Sequence, residues 1–102
     1  MIYCFDIDNT ICLTNALDYS LSTPIIERIA KINQLYDAGH TIKLHTARGS
    51  ETGIDWEQLT LIQLKNWGVK FHQVIMGKPA ADFYIDDKGM SDLEFNWETN
   101  LA

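Results

Sequence analysis

Two carboxylates stand one residue apart in CFDIDNT (residues 4–10), where Asp6 and Asp8 close an apolar run that begins at the first residue. Further along, Thr46 ends the stretch HTIKLHT and is followed by Ala47 and Arg48 in HTARGS. Lys78 stands in MGKP, and Asp86 and Asp87 are adjacent in YIDDKG. Carboxylates that converge without a cation raise one another's pKa values and destabilise the fold. A hard cation reverses that logic, and oxygen ligands favour Mg2+. Lys78 and Thr46 add a positive charge and a hydroxyl suited to phosphate oxygens. A carboxylate nucleophile beside Mg2+ and phosphate-holding groups suggests phosphoryl transfer through an aspartyl-phosphate.

Such chemistry needs elements that bring four distant segments to one place, and the chain alternates strands with helices. Residues 1–7 are nearly continuously apolar, as expected for a strand buried on both faces. Residues 11–22 have no clear period and read as a loop or small hairpin. A helix follows with Thr23 as its cap, Pro24 at its first position and Gly39 at its close, and Ile25, Ile29, Ile32 and Tyr36 share its apolar face. HTIKLHT alternates as a strand does. Asp55 and Gln58 frame the start of a second helix that runs to Gly68. FHQVIM and DFYID read as two more strands, and Ser91 and Glu94 have the spacing of a capping box for a short last helix. This order predicts an α/β fold, a parallel sheet with helices on both faces in three Rossmann-like layers. Ligands of such sheets bind at the C-terminal ends of the strands, where Asp6, Asp8, Thr46, Lys78, Asp86 and Asp87 would collect.

Composition narrows the classes. The 102 residues suit one domain, residues 1–102, and 46% of them are apolar, which is ordinary for a globular chain. A formal net charge of −6 argues against nucleic acid or anionic lipid as a partner. No apolar run approaches the roughly 20 residues of a membrane span. Cys4 and Cys12 lack metal-binding spacing and read as reduced thiols of a cytoplasmic protein.

DIDNT resembles the DxDxT signature of the haloacid dehalogenase-like phosphohydrolases, and KLHTARG, GKP and FYIDDK resemble that family's second, third and fourth motifs in order. The likeness runs from Ile2 to about Lys88. It implies Asp6 as nucleophile and Mg2+ ligand, and Asp8 as general acid and then base with its carbonyl on the metal. Thr46 and Lys78, with Ala47 and Arg48 in the same loop, would hold the phosphoryl group. Asp87 would be a direct metal ligand, and Asp86 would bind a metal water or Lys78. Family members insert cap domains after the first motif or between the second and third. Here those intervals hold only a loop and a helix, then a helix and a strand, which implies the capless branch. The expected function is hydrolysis of a small phosphomonoester, a sugar phosphate ahead of a nucleotide or polynucleotide end. A looser likeness to small phosphatase-like proteins of surface-polysaccharide biosynthesis supports the sugar. Without a cap, a homo-oligomer, dimer or tetramer, would complete the pocket.

Each assignment has a plainer rival. The DxD pair could be a turn, Thr46 a strand-end hydroxyl and Lys78 a solvated loop lysine. Arg48 either touches substrate or ties down its loop. His45 alternates away from Thr46 and reads as a core histidine. Trp56, Trp67 and Trp97 read as packing residues. NALDYS (residues 15–20) could form a flap, with Tyr19 as a substrate contact. Two other classes remain as rivals. One is a receiver-like signalling domain, disfavoured because its acidic pair follows the first strand. The other is a phospho-ligand binding module without catalysis.

Overall fold

A computed structural model of the chain describes residues 1–15 and 18–99. Three parallel strands form the sheet in the order β1 (Ile2–Asp6), β4 (Thr41–Thr46), β5 (Gln73–Met76). Between them lie a small antiparallel pair, β2 (Cys12–Leu13) with β3 (Thr23–Pro24), and the helices α1 (Ile26–Asp37) and α2 (Glu57–Asn66). A single 3-10 turn spans Tyr19–Leu21.

The core follows from alternation along β4. Ile42, Leu44 and Thr46 are buried, while Thr41, Lys43 and His45 are only half-buried. Register places Phe5 beside Leu44 and Leu44 beside Val74, so this face of the sheet is apolar up to Thr46 at the end of β4. Ile29 and Ile32 of α1 and Leu64 of α2 join Phe5, Ile42 and Leu44 in one cluster. Full burial of each such side chain stabilises the fold by about 1.5–3 kcal/mol.

That both helices feed one cluster corrects the expectation of helices on both faces. The sheet order steps in one direction from β1 through β4 to β5, and right-handed crossovers then lay both helices on the same side. On the opposite face Ile2, Cys4 and Gln73 are exposed. Strand β1 is therefore not buried on both faces, despite its apolar sequence.

The loop or small hairpin expected at residues 11–22 is the β2–β3 pair, in which Leu13 faces Thr23 and Cys12 faces Pro24. This pairing overrides Thr23 as a cap and Pro24 as first helical residue. Proline drives the residue before it into extended geometry, and Pro24 itself is tolerated on so short an edge strand. Helix α1 starts two residues later, after Ile25, whose N–H donates to the Ile11 carbonyl at 2.9 Å. Its end is as predicted. Gly39 has φ +96°, its N–H donates to the Tyr36 carbonyl, and the His40 N–H donates to the Leu35 carbonyl. Helix α2 closes the same way at Gly68, and the Asp55 carboxylate accepts from the Glu57 N–H at its start.

Two expected elements are absent among the described residues. Residues 82–86 form no strand; Phe83 is 83% and Ile85 98% exposed. The physical reason is reach. A parallel crossover takes about a dozen residues or more, and only six separate Met76 from Phe83. Residues 91–95 make one turn rather than a helix. The Ser91 hydroxyl accepts from the Leu93 N–H at 3.2 Å, and the Glu94 N–H donates to the Ser91 carbonyl at 3.0 Å. The chain then turns inward because Phe95 and Trp97 pack on Phe5, their ring centroids 5.5 and 5.7 Å from its own. Packing overrode the local capping signal.

Candidate active site

Asp6, the last residue of β1, carries the exposed end of the site. Its Oδ1 lies 3.6 Å from Lys78 Nζ. Lys78 follows β5 and is pinned to the sheet edge, its N–H donating to the Thr46 carbonyl at 2.9 Å and its carbonyl accepting from the Ser50 hydroxyl at 2.6 Å. The Lys78 ammonium also sits over the Tyr84 ring, 4.2 Å from its centroid. Burial pushes the Asp6 carboxyl above its ordinary value; the charge of Lys78 and the Ile7 N–H oppose the shift, and the charge of Asp8 adds to it. Across the register from Asp6 stands His45, on the same face of the sheet and half-buried rather than in the core. Burial and Lys78 both lower its pKa, while Asp6 raises it.

Asp8 belongs to a different environment. Arg48 grips its carboxylate with both prongs, Nε to Oδ2 at 2.9 Å and Nη2 to Oδ1 at 2.8 Å. Oδ1 also accepts from the Thr14 hydroxyl at 2.5 Å and from the Cys12 thiol at 3.7 Å. Local sequence builds this cradle. Asn9 takes a left-handed conformation at φ 60°, which asparagine tolerates better than most residues, and its side chain accepts from the Thr14 N–H. The turn thus brings residues 12–14 back onto Asp8.

Arg48 itself is fully buried in its side chain. Its Nη1 donates to Thr60 Oγ1 at 3.1 Å and Gln63 Oε1 at 2.6 Å, and Nη2 also reaches Ser22 Oγ at 3.5 Å. With the two bonds to Asp8, all five guanidinium donors are spent. This corrects the assignment of Arg48 to phosphate; of the two readings, the arginine that ties down its loop is the one observed. Gly49, with φ +80°, allows the tie, because any side chain there would collide with the Ile54 carbonyl. The Tyr19 ring covers the guanidinium at 4.8 Å and packs edge-on against Trp56 at 5.0 Å, while Gln63 Nε2 donates to the Tyr19 carbonyl at 2.5 Å. Tyr19 is thus committed to Arg48 and Trp56. Residues 16 and 17 of the expected flap lie outside the described residues.

Thr46 is completely buried, and its hydroxyl oxygen accepts from the Arg48 N–H at 3.0 Å. The backbone around Ala47 turns here, as the Ser50 N–H donates to the Ala47 carbonyl at 2.9 Å. Asp86 and Asp87 lie on the exposed segment, where Asp86 Oδ1 accepts from the Lys88 N–H at 3.2 Å. Hydrogen bonds from Lys88 and Asp87, with the nearby Lys88 charge, lower the Asp86 pKa.

The structure therefore brings Asp6 to Lys78 and Asp8 to Arg48, and buries Thr46 beside them. Among the described residues, no three Asp, Glu, His or Cys side chains converge as a metal would require. Of the Mg2+ ligands expected, Asp6 stands at the sheet edge and the Asp86–Asp87 pair on the exposed segment, while the Asp8 carboxylate, whose backbone carbonyl is the expected ligand atom, is held by Arg48. Thr14, Ser22, Thr60 and Gln63 were not singled out from sequence. The one signal was on α2, where Thr60 and Gln63 occupy buried positions beside Leu64 that a helix ordinarily fills with apolar residues.

No family model and no curated protein matches the chain. The fold is similar to the crystal structure of an MCSG target from Vibrio cholerae, at 26% identity and a TM-score of 0.85, over 98% of this chain and 89% of that one. What the two chains share is a compact α/β architecture built on a parallel sheet.

Proposed function

We propose that this protein is a Mg2+-dependent phosphatase of the haloacid dehalogenase-like kind, acting on a small phosphomonoester, with a sugar phosphate favoured. The observation that carries the reading is the meeting of Asp6 and Lys78 at the C-terminal edge of the sheet, 3.6 Å apart, where parallel α/β sheets bind ligands. Motif order and the capless architecture belong to the same reading, as does a cytoplasmic setting, which suits an exposed free thiol at Cys4.

In this mechanism an Asp6 oxygen attacks phosphorus and forms the acyl-phosphate bond as the ester oxygen leaves. Asp8 gives that oxygen a proton. Water then attacks phosphorus and returns a proton to Asp8, releasing inorganic phosphate and restoring Asp6. Lys78 supplies positive charge to the phosphoryl oxygens, a form of preorganised stabilisation. Arg48 acts as a positioning residue. It fixes the plane of the Asp8 carboxylate, leaving Oδ1 with three partners and Oδ2 with one. Mg2+, when bound, would neutralise charge between Asp6 and phosphate.

A screen of phosphorylated metabolites with Mg2+ present, with Asp6→Asn as control, tests the proposal. Release of phosphate by the wild-type chain and none by Asp6→Asn is expected. Equal release by both would place the nucleophile elsewhere.

A further inference from the structure

The chain carries an unfilled strand position and an unused strand. Among the described residues, strand β1 pairs with β4 alone. The Met1 carbonyl accepts from the Thr41 N–H at 3.0 Å, so the odd residues of β1 face β4. By alternation, the N–H and C=O groups of Ile2, Cys4 and Asp6 point outward, with no strand beside them among the described residues. Exposed edges of this kind are ordinarily paired, covered or charged. Ile2 is 68% exposed and Cys4, two residues before the proposed nucleophile, is exposed.

The unused strand is residues 82–87, ADFYIDD less its first residue. Phe, Tyr and Ile favour a pleated, half-buried surface, yet here they stand in solvent. No backbone–backbone hydrogen bond involves residues 79–90 among those described. The segment is bounded at both ends: Lys78 is bonded to Thr46, and Asp92 pairs with Arg28 at 2.7 Å.

One chain cannot join the two in the sense its chemistry needs. Reaching the outer side of β1 from β5 crosses three strand spacings, about 14 Å. A parallel strand must also start at the far end of the sheet, about 13 Å away for four residues. The straight path, through the sheet itself, is about 19 Å, and the six residue steps from Met76 to Asp82 span at most about 20–22 Å fully extended. That is too short to pass around a face, where packed layers stand about 10 Å apart. An antiparallel strand would be within reach but would carry Asp86 and Asp87 to the end of the sheet away from Asp6.

We propose that residues 82–87 of one copy pair in parallel with the outer edge of β1 in a second copy, and reciprocally, bringing the partner's Asp86 and Asp87 beside Asp6. The exchange closes both edges through one two-fold interface and buries Phe83 and Ile85. The edge that receives Asp82, Asp86 and Asp87 holds Lys43, in register with Cys4, and Lys78 beside Asp6. It also supplies carboxylates that one chain does not gather. The role given to the partner's Asp86 and Asp87 rests on the phosphatase reading; the strand exchange does not.

Cys4 provides the test. With Asp86 beside Asp6, Tyr84 stands beside Cys4 on the same face; in a Tyr84→Cys variant, mild oxidation should give a covalent dimer on non-reducing electrophoresis, and adding Cys4→Ser should abolish it. An internally linked monomer, or a monomer by light scattering with no link, overturns the exchange. A second arm co-expresses Asp6→Asn with Asp87→Asn chains, each inactive alone. Random pairing should restore about a quarter of wild-type turnover, because half the dimers then hold one intact site of two. A covalent dimer with no recovery overturns the shared site. If wild type hydrolyses no phosphomonoester, the phosphatase reading fails, and the cross-link still decides the exchange.

Discussion

The two carboxylates of DIDNT, two positions apart, have opposite surroundings. Asp8 is held by a guanidinium with no exposed surface, a hydroxyl and a thiol, drawn from β2, the loop after β4 and, through Arg48, α2. Asp6 faces one lysine at 3.6 Å across a partly open edge, beside a segment whose apolar side chains are in water. One half of the candidate site is finished within the chain, and the other is not. The contrast separates residues that hold a proton-bearing group in place from residues that wait for something to arrive.

The largest expected effect is on the open half. Asp6→Asn removes the nucleophile and should eliminate turnover, whereas Asp8→Asn, which loses only proton transfer, should cost about a hundred- to ten-thousand-fold in kcat. Steady-state kinetics on a poor and a good leaving group would check this, since a good leaving group needs the acid less. Equal losses on both substrates would break the division of labour. Excess chelator should also stop turnover, and full hydrolysis in its presence would remove Mg2+ from the proposal.

The closed half should dominate stability. Arg48→Ala leaves Asp8 partly buried without its partner, and removing one member of a buried pair typically costs about 3–5 kcal/mol. Chemical denaturation of Arg48→Ala should show that loss, while Leu93→Ser, at a position 84% exposed, should leave stability nearly unchanged. Similar midpoints for the two variants would mean that the buried network carries no special weight.

The smallest effect is a pH dependence at Asp6. Its folded pKa is raised by burial, so between its unfolded and folded values the native state binds more protons. Stability from this group is present at low pH and is lost as pH rises through the folded pKa. In metal-free buffer Asp6→Asn should therefore melt higher than wild type at neutral pH, and the difference should vanish in acid. The gain should stay below the roughly 4–8 °C that a full kcal/mol gives a domain of this size, because the carboxylate is partly solvated. A lower melting temperature for Asp6→Asn at neutral pH would show that Lys78 outweighs burial.

Much of the fold was legible in the residues themselves. Alternation in HTIKLHT located β4, Gly39 and Gly68 marked both helix ends, and the apolar run before Asp6 located β1, because these signals are local and periodic. The order of strands and helices was enough to predict a parallel sheet with Asp6, Thr46 and Lys78 near one edge. Tertiary structure alone decided the rest. That Arg48 spends its donors on Asp8, Thr60 and Gln63 depends on three segments meeting, which no spacing encodes. That both helices share one face depends on the direction in which the sheet order steps. The segment DFYID has the composition of a strand, but a strand exists only beside an edge it can reach, and six residues after Met76 do not allow the parallel one.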